Sequence, residues 1–134
     1  MAATRPLPRP TPETQHFWDG TAAGELRLQR CRACNHTYFP PQPFCPRCAS
    51  DDVEVVRASG NASLYSFVIT ERAAPGFEAP YVIAEVELEE GPRLLSNLVD
   101  VAPDPDGLTL DLPLEVTFES FGEVTLPLFR PRSA

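Results

Sequence analysis

The period of apolar and polar positions changes near residue 60, and the two halves of the chain predict different structures. From Ala62 onward five segments (62–70, 81–88, 94–99, 114–119 and 124–129) are β-rich and contain no convincing helical stretch. In the second, Val82, Ala84, Val86 and Leu88 share one face while Glu85 and Glu87 lie on the other, the alternation of a sheet that is wet on one side. Leu114, Val116 and Phe118 repeat it. Glu89-Glu90-Gly91-Pro92 predicts a turn, Ser120 to Glu123 with Gly122 predicts a hairpin, and Asp104-Pro105-Asp106-Gly107 predicts a loop. Five strands in an open sheet leave two bare edges, so a compact, partly closed barrel of the OB type is expected.

The first half reads differently. Residues 1–12 carry Pro6, Pro8, Pro10 and Pro12 and predict an extended arm, because proline fixes its own φ and biases its predecessor away from helix. Thr11 is expected to cap a helix over 12–23, with Pro12 first, Glu13 in the favourable first turn and Gly24 as its stop. The helix should bury Phe17 or Trp18 with Ala22; the aromatic pair reads as core packing, with docking of a partner as the alternative. Leu26 and Leu28 alternate with Glu25, Arg27 and Gln29 as a short half-buried strand leading into Cys31, and Val53, Val55 and Val56 form another after the turn at Asp51-Asp52. The expected organisation is an arm and helix over 1–24, a ribbon over 25–57 and a β-barrel over 58–134.

Chemistry enters with the cysteines. Cys31-Arg32-Ala33-Cys34, ten intervening residues, and Cys45-Pro46-Arg47-Cys48 use all 4 cysteines of the chain. Each C-x-x-C turn aims two thiolates at one point, and two such turns complete a tetrahedron. A unit of this size buries too little surface to fold alone, and structural zinc supplies an apparent binding free energy on the order of 10 to 16 kcal/mol. The expected cofactor is Zn2+ in a structural role, with iron in the same four thiolates as the alternative. Disulfides and a thioredoxin-like redox pair weigh less, for want of an oxidising setting or a βαβ context. Four thiolates leave no open coordination position, so the metal is not expected to catalyse anything. His36, just after the first turn, reads as a solvated loop residue rather than a fifth candidate ligand.

Charge narrows the partners. The chain has no lysine, and its 11 arginines face 19 carboxylates for a net charge of −8. Residues 1–61 hold 7 Arg against 6 carboxylates, whereas residues 62–134 hold 4 against 13, a net of −9. Nucleic-acid affinity depends on neutralising phosphates, so DNA or RNA is not the expected partner of the barrel. No apolar run is long enough for a bilayer span and the first ten residues lack a secretory apolar core, so a cytoplasmic protein away from membranes is expected. No nucleophile with a base stands out, His16 and His36 both lie in the first half, and Glu85, Glu87, Glu89 and Glu90 read as a solvated face. The chain is therefore not expected to be an enzyme by itself. Phe77, at the breaker-rich tip Pro75-Gly76-Phe77 of the loop 71–80, marks a contact site if exposed and packs back on the barrel otherwise.

Together, several stretches resemble the DUF35 family: His16-Phe17-Trp18, Leu26 to Cys31, Phe39-Pro40-Pro41, Cys45 to Cys48, the strand of residues 81–88, and Glu90-Gly91-Pro92-Arg93. Asn35 and Ala49 stand where glycine commonly follows each cysteine turn, and Gly60-Asn61-Ala62 where a second glycine is usual. The resemblance implies a mainly β chain, with an N-terminal helix and rubredoxin-like zinc ribbon followed by a five-stranded OB-fold barrel. It also implies a non-catalytic subunit in a hetero-oligomer with a thiolase-like enzyme, near its acyl-CoA substrate. Some members pair with thiolase-fold aldolases that cleave the CoA-activated side chain of steroids, and others bridge a thiolase to a second enzyme. Such chains also occur fused to a hydratase-like domain. Arg57, Arg72 and Arg93 are candidates for reaching CoA phosphates, with surface solubility as the alternative. A nucleic-acid-binding OB-fold and a rubredoxin-like electron carrier remain the competing functions.

Overall fold

A computed structural model describes residues 5–133; residues 1–4 of the expected arm and Ala134 lie outside the described residues. The described residues form one α-helix, α1 (Gln15–Ala22), a short 3-10 helix (Pro105–Gly107) and eight strands: β1 (Arg27–Cys31), β2 (Thr37–Tyr38), β3 (Val53–Arg57), β4 (Asn61–Thr70), β5 (Tyr81–Leu88), β6 (Arg93–Leu98), β7 (Pro113–Phe121) and β8 (Val124–Pro131). The first three make a small sheet in the order β2-β1-β3. The last five close into a barrel in the order β4-β5-β6-β8-β7, the strand order of an OB-fold. Among the described residues no helix is long and apolar enough to cross a membrane.

Alternation dictates the barrel. Along β5 the even positions Val82, Ala84, Val86 and Leu88 are buried and the odd ones half-exposed. Strand β4 is long enough to serve two neighbours. Its start pairs with β7 (Asn61↔Glu115 to Ser63↔Pro113), and its length pairs with β5. A register shift between Leu64 and Ser66 leaves Tyr65 as the extra residue, and such a bulge bends a strand into a closing sheet. Strands β7 and β8 meet through the two-residue turn Gly122-Glu123, with Gly122 at φ 63°. Closure between β6 and β8 is narrow, a parallel contact at Leu98↔Phe129 reinforced by Val99 N–H donating to the Phe129 carbonyl at 2.8 Å. Phe129, Leu64 and Leu114 lie fully buried at the barrel centre.

The helix begins at Gln15, later than the expected residue 12. Thr11 does not cap it; Thr14 N–H donates to the Thr11 carbonyl at 3.0 Å and Thr11 N–H to Thr14 Oγ1 at 2.9 Å, so residues 11–14 are spent on a turn of their own. The stop is as expected. Gly24 adopts φ 77°, Glu25 N–H reaches the Gly20 carbonyl at 2.8 Å and Gly24 N–H the Thr21 carbonyl at 3.0 Å, the paired bonds of a Schellman end. Of the aromatic pair, Phe17 is buried and Trp18 half-buried, meeting edge to face at 4.9 Å. Ala22 is exposed, and Gly20 and Thr21 are buried in its place.

Strand β1 joins the two halves. Leu26 and Leu28 are buried in the same apolar cluster as Phe17 and the barrel residues Leu64, Val86 and Phe129. Gln29, expected on a wet face, is buried as well, and its Oε1 accepts from Gln42 N–H at 2.7 Å, so the buried amide oxygen is not left without a partner.

Candidate metal centre and apolar groove

Two loops of the ribbon repeat one geometry. In the first, Asn35 N–H donates to the Cys31 carbonyl at 2.8 Å and Cys31 N–H to the His36 carbonyl at 2.9 Å. In the second, Ala49 N–H donates to the Cys45 carbonyl and Cys45 N–H to the Ser50 carbonyl, both at 2.8 Å. The fifth residue of each turn is left-handed, Asn35 at φ 62° and Ala49 at φ 64°. Asparagine tolerates that region, whereas alanine is strained there by Cβ. Arg32 N–H bonds the Asp52 carbonyl at 2.9 Å and ties the first turn to the chain leaving the second.

The paired turns bring all four thiols together. Cys31 Sγ lies 3.5 Å from Cys48 Sγ and Cys34 Sγ 3.7 Å from Cys45 Sγ, with all four sulfurs within 4.8 Å of one another. Four thiolates at the usual metal–sulfur bond of about 2.3 Å stand about 3.8 Å apart at the corners of a tetrahedron. A disulfide needs roughly 2.0 Å, and all four cysteines are free. The cysteines are thus positioned to bind a metal ion. Burial alone would raise the Cys45 thiol, but the Cys48 and Arg47 amides and the neighbouring thiols outweigh it and bring Cys45 down to about 7. At Cys48 the Ser50 amide favours the thiolate, but the Cys31 thiol, burial and the remaining thiols prevail and push it up to about 12. Four sulfurs this close therefore resist shedding all their protons unless a cation neutralises them.

Around the cluster the ribbon is polar. Tyr38 is buried beside Cys31 and Cys45, and its hydroxyl donates to the Gln42 carbonyl at 2.9 Å. His36 is half-buried with its ring 6.1 Å from that of Tyr38, and stands outside the thiol cluster. On the sheet's outer side Arg30 and Arg32 both engage Glu54, and Arg32 also meets Asp52 at 3.1 Å. The Arg30 hydrogen bond, aided by Arg32, holds the Glu54 carboxyl below its ordinary value.

A second feature lies where β6 and β8 diverge. A groove of about 340 Å³ opens there, walled by Phe17 and Trp18 of α1, by Phe39, and by Leu95 and Leu126 of the barrel. Leu95 is 74% exposed at its rim. The polar groups in the wall are already committed, Ser96 Oγ to the Pro127 carbonyl at 2.8 Å and Asn97 Nδ2 to the Val82 carbonyl at 2.9 Å. Such a lining can hold an apolar group but offers no spare acid, base or nucleophile. The sequence offers Phe17 and Trp18 as contact residues and Phe39 only as part of the family resemblance, whereas Leu95 and Leu126, from two further strands, carry no such signal.

The remaining sequence-predicted contact residues are not brought together. Arg57 faces Glu25 at 3.5 Å, Arg93 stacks over the Tyr65 ring at 3.6 Å beside Glu87, and Arg72 is exposed in the β4–β5 loop. Phe77 is half-buried, stacked on Tyr81 at 4.8 Å.

A four-cysteine ribbon welded to an OB barrel defines the class: a rubredoxin-like ribbon and OB-fold protein. Residues 18–54 match the family described as ChsH2, rubredoxin-like zinc ribbon domain, and residues 55–119 match ChsH2, C-terminal OB-fold domain. The chain belongs to the DUF35 family. It is 35% identical over 97 residues to a DUF35 domain-containing scaffold protein of Methanocaldococcus jannaschii, covering 70% of this chain and 67% of that one. It is 36% identical over 125 residues to the 3-oxo-4,17-pregnadiene-20-carboxyl-CoA hydratase alpha subunit of Mycobacterium tuberculosis, covering 92% of this chain and 39% of that subunit. The chain spans about two fifths of the length of the hydratase alpha subunits it matches. Among solved structures, a chain of the Ltp2-ChsH2(DUF35) aldolase superposes with a TM-score of 0.84 at 38% identity, over 93% of this chain and 98% of that one.

Proposed function

We propose that this chain is a non-catalytic accessory subunit, or the corresponding domain of a longer protein, that supports a thiolase-fold acyl-CoA enzyme. The partner in this reading is an aldolase that makes the retro-aldol C–C cleavage of steroid side-chain degradation. One observation carries it: likeness over nearly the full length of both chains to the DUF35 chain of an aldolase complex. The cysteine cluster supports it, because a zinc ion held by Cys31, Cys34, Cys45 and Cys48 has no vacant position for substrate and serves as scaffolding. Reaction chemistry then belongs to the partner, with the acyl-CoA substrate at or near the shared interface in an intracellular hetero-oligomer.

Co-expression with a thiolase-like enzyme encoded beside this chain tests the proposal. A stable complex is expected, with aldolase activity that the enzyme lacks alone. A partner that is fully soluble and active without this chain would sink the idea. A second reading, a bridge between a thiolase and another acyl-CoA enzyme, is favoured by the likeness to an archaeal scaffold protein. Light scattering separates the two, because a bridge yields a three-component particle.

A further inference from the structure

The N-terminal arm does not leave the barrel freely. Leu7, Pro8, Arg9 and Pro10 run beside Glu123 and Val124 of the β7–β8 hairpin. The arm then delivers Arg5 to the barrel end between two rings. Its guanidinium carbon sits 3.9 Å from the Phe77 ring centre and 4.1 Å from that of Phe121. Phe77 is backed in turn by Tyr81 at 4.8 Å. The β4–β5 loop and the end of β7, distant in sequence, therefore supply the two jaws of one clamp.

Two features suit the clamp to a guanidinium, and a third seats the backbone of the arm. A planar delocalised cation stacks on ring faces, which an ammonium does less well. Glu78 and Glu119 line the same 310 Å³ cavity and favour positive charge. Gly76, at φ 78°, lets the arm's backbone come close, since an added Cβ there would lie 2.2 Å from the Arg5 backbone nitrogen. The hold on the arm is otherwise slight. Among the described residues no hydrogen bond ties residues 5–10 to the barrel, in contrast to the dense ladders within it. Four alternating prolines keep the arm extended, so lifting Arg5 releases a stiff strap without unfolding any strand.

We propose that Phe77 and Phe121 form a binding site for an arginine side chain, filled in the resting chain by Arg5 of its own arm and available to an arginine of a partner protein when the arm lifts. The site is independent of the metal cluster and of the proposed acyl-CoA partnership.

The test uses the full chain and N-acetyl-argininamide as the probe, followed through the aromatic resonances of Phe77, Tyr81 and Phe121. Arg5→Ala empties the clamp, so saturable shifts are expected, with binding at least tenfold tighter than to the wild type. N-acetyl-lysinamide should bind several-fold more weakly than the arginine probe. Adding Phe121→Leu, which keeps apolar bulk but removes a ring face, should abolish the response while far-UV dichroism and the melting temperature stay close to those of Arg5→Ala. No saturable shift in Arg5→Ala, equal binding by the wild type, or an undiminished response in the Phe121→Leu background would each overturn the proposal.

Discussion

The ribbon and the barrel lie against one another but are held by different forces. In the barrel, Leu64, Val86, Leu88, Leu114 and Phe129 are almost wholly removed from water, and apolar burial accounts for its order. In the ribbon the separate buried cluster is Cys31, Tyr38 and Cys45, with Cys34 and Val53 beside it. That is too little to fix some thirty residues, so the four-thiol cluster must supply the rest. Strand β1 links the two, through Leu28 on the strand and Leu26 just before it, with Phe39 and Val56 of the ribbon packed against the same cluster. Position and stability thus have separate sources: the metal site shapes the ribbon, and β1 anchors that shape to the barrel.

The largest effect should come from the metal. Cys45→Ser, or strong chelation, removes on the order of 10 kcal/mol of apparent binding free energy. Amide NMR should then show the ribbon resonances collapsing while those of the barrel persist. Collapse of both would break the comparison. Next, Phe129→Ala should cost about 4 kcal/mol in urea unfolding of the barrel, yet leave one metal per chain by mass spectrometry. Leu28→Ala, at the shared strand, should cost about 3 kcal/mol and be the one substitution of the three felt by both regions.

Smaller effects sharpen the picture. Ala49→Gly relieves the left-handed strain at φ 64° and should stabilise the ribbon by about 1 kcal/mol, measured as greater resistance to chelator. His16 should give the weakest signal. Burial, with Arg27 adding to it against Asp19, lowers its pKa from the ordinary 6.5, so the folded chain resists protonation. Stability is then full above about pH 6.5, the unfolded value, and falls as pH drops toward the lower folded value. His16→Gln should flatten that slope between pH 7.5 and 5.5 in thermal melts, and an unchanged slope would assign it elsewhere.

How much was legible in the sequence follows the same division. The alternation of residues 81–88 maps directly onto β5, because a one-residue slip would turn every valine outward. The cysteine spacing likewise reads as one cluster, since each turn is a local event. Strand β2 was not legible: Thr37–Tyr38 is too short to have a period, and it exists only because β1 pairs with it. Nor was the burial of Gln29, whose partner Gln42 lies across a loop. The groove and the arginine clamp escaped for the same reason. Leu95 and Leu126 meet Phe17, and Arg5 meets Phe121, only once the barrel has closed.

The most direct test of the central claim is native mass spectrometry of the full chain combined with thiol alkylation. One zinc ion per chain is expected, with Cys31, Cys34, Cys45 and Cys48 all protected until a chelator is added and all four modified afterwards. A chain folded as described that carries no metal, or in which any of the four is alkylated while the metal stays bound, would contradict it.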